Sequence, residues 1–257
     1  MNPALIVIFV CGLLFAGMIV AYDVGHGVGR ARRAKHPDEP QGAGGVDAAI
    51  LGLLGLVLAF TFSAAAERLV VRRAQIVDES NQIGTAYLRI DLLPAADQPA
   101  LRDLFRRYLE TRIEVFQKIG DRKAFEAALA RSNALQREIW TRSVEATRSD
   151  THPGAAILVL NELNQMIDIT NTRNMAIRVH VPNLVIALLV TLAILGALLS
   201  GYAMSVRPGR SPLHAIVFAL AITATVYVVL DLEFPRFGLI NLSGTDQAMI
   251  QLRDMMK

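Results

Sequence analysis

Side chains that could do chemistry are sparse in this 257-residue chain. The five histidines, His26, His36, His152, His180 and His214, are dispersed, with no helical i, i+4 pair and no carboxylate at metal-ligand spacing. A nucleophile elbow, a Walker loop and a paired-carboxylate motif are also absent. This predicts a protein that is not an enzyme and that holds no metal and no cofactor. Glu67, Arg68, Arg72 and Arg73 mark the water interface at the end of the apolar stretch that holds Phe60, Phe62 and Ser63. Further on, Asn161, Asn164, Asp168, Asn171 and Asn174 recur at spacings of three and four. That row suits an aqueous ion path, and it equally suits a polar seam against a neighbouring helix or a solvated face. Gly25-His26-Gly27-Val28-Gly29, followed by Arg30, Arg32, Arg33 and Lys35, lacks the preceding strand and following helix that a phosphate cradle needs. A flexible basic loop is expected there.

The elements that carry these residues are apolar blocks. Hydrophobic residues make up 53% of the chain and charged ones 19%, and the apolar residues cluster in four stretches, which excludes an ordinary soluble domain. The net charge of +3 is scattered, so nothing points to nucleic acid. Cys11 is the one cysteine, which rules out a disulfide within the chain. The expected fold class is all-α, a polytopic membrane protein with four transmembrane helices and a helical soluble domain inserted between the second and third. Its parts are helix 1 at 1–22, a basic Gly/Pro linker at 23–45, helix 2 at 46–66, the soluble domain at 67–181, helix 3 at 182–204, helix 4 at 213–232 and a short tail at 233–257. The first block lacks a positive n-region and a small-residue cleavage site, so it reads as a retained helix rather than a signal peptide.

Helix 2 is the organising element. Its only charge before Glu67 is Asp47, and about 20 apolar residues suffice to cross a bilayer. Ala48, Gly52, Gly55, Ala59, Ser63 and Ala66 form a seam of small side chains where another helix can approach closely, in the same chain or in a second copy. Beyond the apolar part, Leu69, Val70, Ile76, Val77, Ile83, Gly84, Tyr87 and Leu88 continue at helical period until Pro94. One helix of about 45 residues, roughly 70 Å long, is expected.

Three amphipathic helices follow. The first begins near Pro99 and buries Leu101, Leu104, Phe105, Tyr108, Leu109, Val115, Phe116 and Ile119. The second is capped by Asp121 and buries Phe125, Ala128, Leu129, Leu135 and Ile139. The third opens at Asp150 or Thr151 and runs from Gly154 to about His180. With the second half of helix 2 they make a four-helix bundle. Neither of the last two apolar blocks has an ionisable residue at mid-membrane, unlike proton-coupled pumps and transporters. Asp231 and Glu233 read as ordinary interfacial charge. Arg68, Arg72, Arg73, Arg173, Arg178, Arg236, Arg253 and Lys257, set against Arg30, Arg32, Arg33, Lys35, Arg207 and Arg210, lean toward a cytoplasmic bundle with both termini on that side.

Certain runs resemble a bacterial bestrophin-like family of membrane proteins. They are Leu58-Ala59-Phe60-Thr61-Phe62-Ser63, Asn81-Gln82-Ile83-Gly84-Thr85-Ala86-Tyr87-Leu88-Arg89 leading to Leu92-Leu93-Pro94, Leu163-Asn164 with Met166 and Asp168, and Asp231-Leu232-Glu233 with Pro235 and Gly238. Glu67-Arg68 followed by Arg73 is similar to the acid-Arg-aromatic-aromatic-x-x-Arg element of the bestrophins themselves, with Leu69 and Val70 in place of the aromatics. The long calcium-binding C-terminal segment of animal members has no counterpart, so calcium gating is not carried over. The resemblance implies a homo-oligomer, a pentamer in bestrophins, in the bacterial inner (plasma) membrane. Its second helices would surround a pore for inorganic ions, anions by analogy. Phe60 and Phe62 would be gate candidates, with Ser63, Glu67 and Arg68 along the pore; core packing or lipid contact is the alternative for either ring. Another function class also fits the layout: a membrane-anchored sensor or scaffold whose four-helix bundle binds a ligand or partner.

Overall fold

The structure is a computed structural model that describes residues 3–36, 45–148, 153–205, 212–236, 238–240 and 242–256. Among these every regular element is helical. The order is α1 (Pro3–Lys35), α2 (Gly45–Arg89), a single 3-10 turn (Ile90–Leu92), α3 (Gln98–Gln117), α4 (Arg122–Arg148), α5 (Pro153–Ala176), α6 (Asn183–Met204), α7 (Pro212–Glu233) and α8 (Ser243–Met255). Four of these, α1, α2, α6 and α7, are long and apolar enough to cross a membrane, and the chain is a membrane protein.

Two compact units divide the chain. The first takes Met1–Leu69 and His180–Ile240, the second Val70–Val179 and Asn241–Lys257. In the first unit α1 packs along α6 and α7, and Leu14 and Met18 of α1 meet Leu54 and Leu58 of α2 and Leu189 and Leu192 of α6. The crossing of α1 and α6 is too close for side chains at certain points. A Cβ on Gly25 would overlap the Leu198 carbonyl, one on Gly201 the Tyr22 carbonyl, and one on Gly29 the Ser205 hydroxyl. This corrects the expected first boundary. Residues 23–35, read as the start of a loop, continue α1, because Gly25 and Gly29 at i, i+4 are there to let two backbones touch. The rest of the expected linker, with Pro37, Pro40 and the following glycines, lies outside the described residues, as do Arg207, Arg210, Asp150 and Thr151.

The second unit is built from the latter half of α2 with α3, α4, α5 and α8. Pro94 ends the run begun by α2, Pro99 stands in the first turn of α3, and Asp121 accepts from the amides of Lys123 and Ala124 at 3.1 and 3.2 Å to start α4. The expected α3 face is buried from Leu101 to Phe116, with Ile119 partly so. The segment expected to be only a tail instead adds a fifth helix to the bundle. Met249, Leu252 and Met256 of α8 are buried, Ser80 donates to the Ala248 carbonyl at 3.1 Å, and Arg106 donates to the Met256 carbonyl at 2.8 Å.

Candidate pore face and interfacial carboxylates

Helix α2 turns Leu54, Leu58, Thr61, Ala65 and Leu69 inward and leaves another face uncovered. Exposed positions Ala49, Leu53, Leu56, Phe60, Ser63, Glu67, Val70, Ala74, Val77 and Asn81 alternate by four and three, a register that continues through half-buried Gly84, against which Leu252 of α8 stands, to exposed Leu88. That is the a/d seam of a heptad repeat. Phe60 is 67% exposed on the seam; Phe62, 43% exposed, lies about 200° around the helix from it. Ser63 and Glu67 share the seam with Phe60, and Glu67 makes no ion pair among the described residues.

Gly52, Gly55 and Ala59 are exposed too, and among the described residues nothing comes within 4 Å of where a Cβ on Gly52 or Gly55 would stand. At Gly52 and Gly55 the small-residue seam of α2 therefore serves no packing among the described residues. The close crossing is made by α1 and α6. Gly25-x-x-x-Gly29 was its signal, hidden because the stretch read as a loop.

Arg68 is held differently from its neighbour Glu67. Its Nε donates to Glu233 Oε1 at 2.6 Å, and a second guanidinium nitrogen pairs with the same carboxylate. His180 Nδ1 stands 3.5 Å from Glu233 Oε2, and the His180 ring lies 4.9 Å from that of Phe234. Two residues earlier, Asp231 accepts from the amides of Leu239 and Ile240 at 3.1 and 2.9 Å. A Cβ on Gly238 would collide with the Asp231 carboxylate. Asp231 and Glu233 are 4% and 3% exposed, which corrects their reading as interfacial charge. One carboxylate fastens the chain leaving α7 and the other fastens α2.

In the second unit Glu79, fully buried, receives Arg112 Nε and Arg173 Nη1, each at 2.5 Å. Arg173 also lies 3.8 Å from Asp246 of α8 and 3.4 Å over the Phe116 ring, and Arg112 shares the Asn174 side-chain oxygen at 3.3 Å. Burial pushes the hydroxyl of neighbouring Tyr108, which exchanges a hydrogen bond with Thr170 at 3.0 Å, up to about 12. The Arg112 guanidinium, despite burial, is held above its ordinary value by Glu79. The sequence reading missed this cluster, whose members come from four helices. Asn161, Asn164, Asp168 and Asn171 share an exposed face of α5, and Asn174 turns in to Arg112.

A sequence model of the Bestrophin-like domain matches residues 11–244. The chain belongs to the Bestrophin-like family. No curated protein and no solved structure matches it. The Bestrophin-like match takes in α1 from residue 11 onward, the whole of α2, α6 and α7, and the Asp231-Leu232-Glu233 segment with Gly238.

Proposed function

We propose that this protein is an oligomeric ion channel in which copies of α2 surround the pore. The observation that carries the reading is the uncovered heptad seam of α2, which runs through its apolar part and on into the amphipathic part. Helices with such a seam associate in parallel about a common axis. Charge supports a second copy as the occupant. Arg73 falls at g and Asp78 at the following e position, both are exposed, and neither forms an ion pair among the described residues; e and g charges pair between neighbouring helices of a coiled coil. The family relationship suggests a pentamer, as in bestrophins, which themselves conduct anions. The family relationship argues for the bacterial inner membrane, and the arginine count leans toward a bundle and both termini on the cytoplasmic side.

Phe60 would form the constriction, since an apolar ring on the pore axis gates by dewetting, whereas Phe62 points well off that axis. Purified protein in a planar bilayer under a KCl gradient should show discrete conductance. Phe60→Ala should raise it, and Phe62→Ala should leave it near the wild-type value. Equal currents from wild type and Phe60→Ala would remove the constriction. Silence from folded, inserted protein would favour the other reading, a sensor or scaffold. That reading has its own support in an open cleft of about 560 Å³ on the bundle, lined by Asp97, Glu138, Thr141, Arg142 and Glu145.

A further inference from the structure

Resting on the channel reading, the charges at the end of the apolar part of α2 speak to which ions pass. From Ala49 to Leu88 the a and d positions of the exposed seam hold one ionisable side chain, Glu67. The arginines beside it are turned elsewhere. Arg68, one step around the helix, is bound to the buried Glu233 through Nε and a second nitrogen. Arg72 falls on the face opposite the seam and donates to the Val179 carbonyl at 2.8 Å. Arg73 flanks the seam, at the g position that pairs with Asp78 of an adjacent copy.

We infer that Glu67 forms a ring of carboxylates on the pore axis and that the pore prefers small monovalent cations over anions. A ring of acidic side chains concentrates cations and raises the barrier to anions in a pore. Placing several carboxylates around one axis is also self-repulsive, and a cation among them relieves that repulsion. The bestrophin-like relationship alone suggests the opposite sign, so the inference separates this chain from the analogy by the placement of one residue.

The test is the reversal potential of the purified full-length protein in a planar bilayer under a KCl gradient, with Glu67→Gln and Glu67→Arg measured alongside. The expected result is a wild-type reversal potential on the potassium side of zero. It should move toward zero in Glu67→Gln and cross to the chloride side in Glu67→Arg. A wild-type current that prefers chloride, or a reversal potential unmoved by either substitution, overturns the inference while the channel reading stands. Absence of any current from wild type overturns both. A second measurement is independent of conduction: Glu67→Cys in membranes should form a disulfide-linked dimer under mild oxidation, because only a seam facing the axis brings copies of position 67 together. Failure to cross-link, with Ala49→Cys cross-linking as a control on the same seam, places Glu67 off the axis and overturns the inference.

Discussion

Glu79 serves two guanidiniums at once. Arg112 and Arg173 both reach it from within the bundle, and Asp246 supplies a second negative charge near Arg173. Removing one partner from such a cluster leaves charge buried and uncompensated, which costs about 3–5 kcal/mol. Glu79→Leu should accordingly lower the thermal stability of the detergent-solubilised protein sharply, and adding Arg112→Met should recover part of the loss. A melting temperature unchanged by Glu79→Leu would mean the cluster is not formed. Tyr108 gives a second reading of the same interior. Its hydroxyl pKa in the folded protein, about 12, lies above the ordinary 10.0. The stability it contributes is complete below pH 10.0 and is lost as pH rises through 12, amounting to about 1 kcal/mol lost by pH 11. Tyr108→Phe should flatten that alkaline slope relative to wild type, measured by thermal unfolding from pH 8 to 11.

At the scale of elements, glycine has opposite uses in α1 and α2. A glycine in a helix interior costs about 1 kcal/mol against alanine; in α1 close backbone contact with α6 offsets this. Gly25→Val should therefore abolish the folded first unit, since any Cβ there meets the Leu198 carbonyl. Gly52→Val should leave the monomer folded and reduce the assembly measured by light scattering in detergent. An unchanged assembly size would take Gly52 out of the interface. Length and polarity made α6 and α7 legible, expected at 182–204 and 213–232 and found at Asn183–Met204 and Pro212–Glu233. The end of α1 was not legible, because glycine and a run of arginines carry the same local signal in a loop as in a helix whose glycines face a neighbour. The proposed pore face was half legible. The sequence supplies the periodicity of α2, but exposure decides that Phe60 and Glu67 lie on the uncovered side while Arg68 turns to Glu233.

For the whole molecule, the apolar blocks made membrane residence and an all-helical fold readable before any contact was known. Asp231 and Glu233 show what block-reading misses: near the end of an apolar helix they resemble surface charge, and only their partners, the Leu239 and Ile240 amides and Arg68, show them to be internal fasteners. The contribution of α8 is hidden for a related reason, since Met249, Leu252 and Met256 are too short a pattern to announce a partner over 100 residues earlier. That arrangement orders events during synthesis. A ribosome releases residues 70–179 first, then α6 and α7, which must enter the bilayer, and only afterwards the helix whose Leu252 stands against Gly84 and whose end meets Tyr87. Until then the nascent bundle waits with part of its interior open, so its completion reports that the last two membrane crossings have been made.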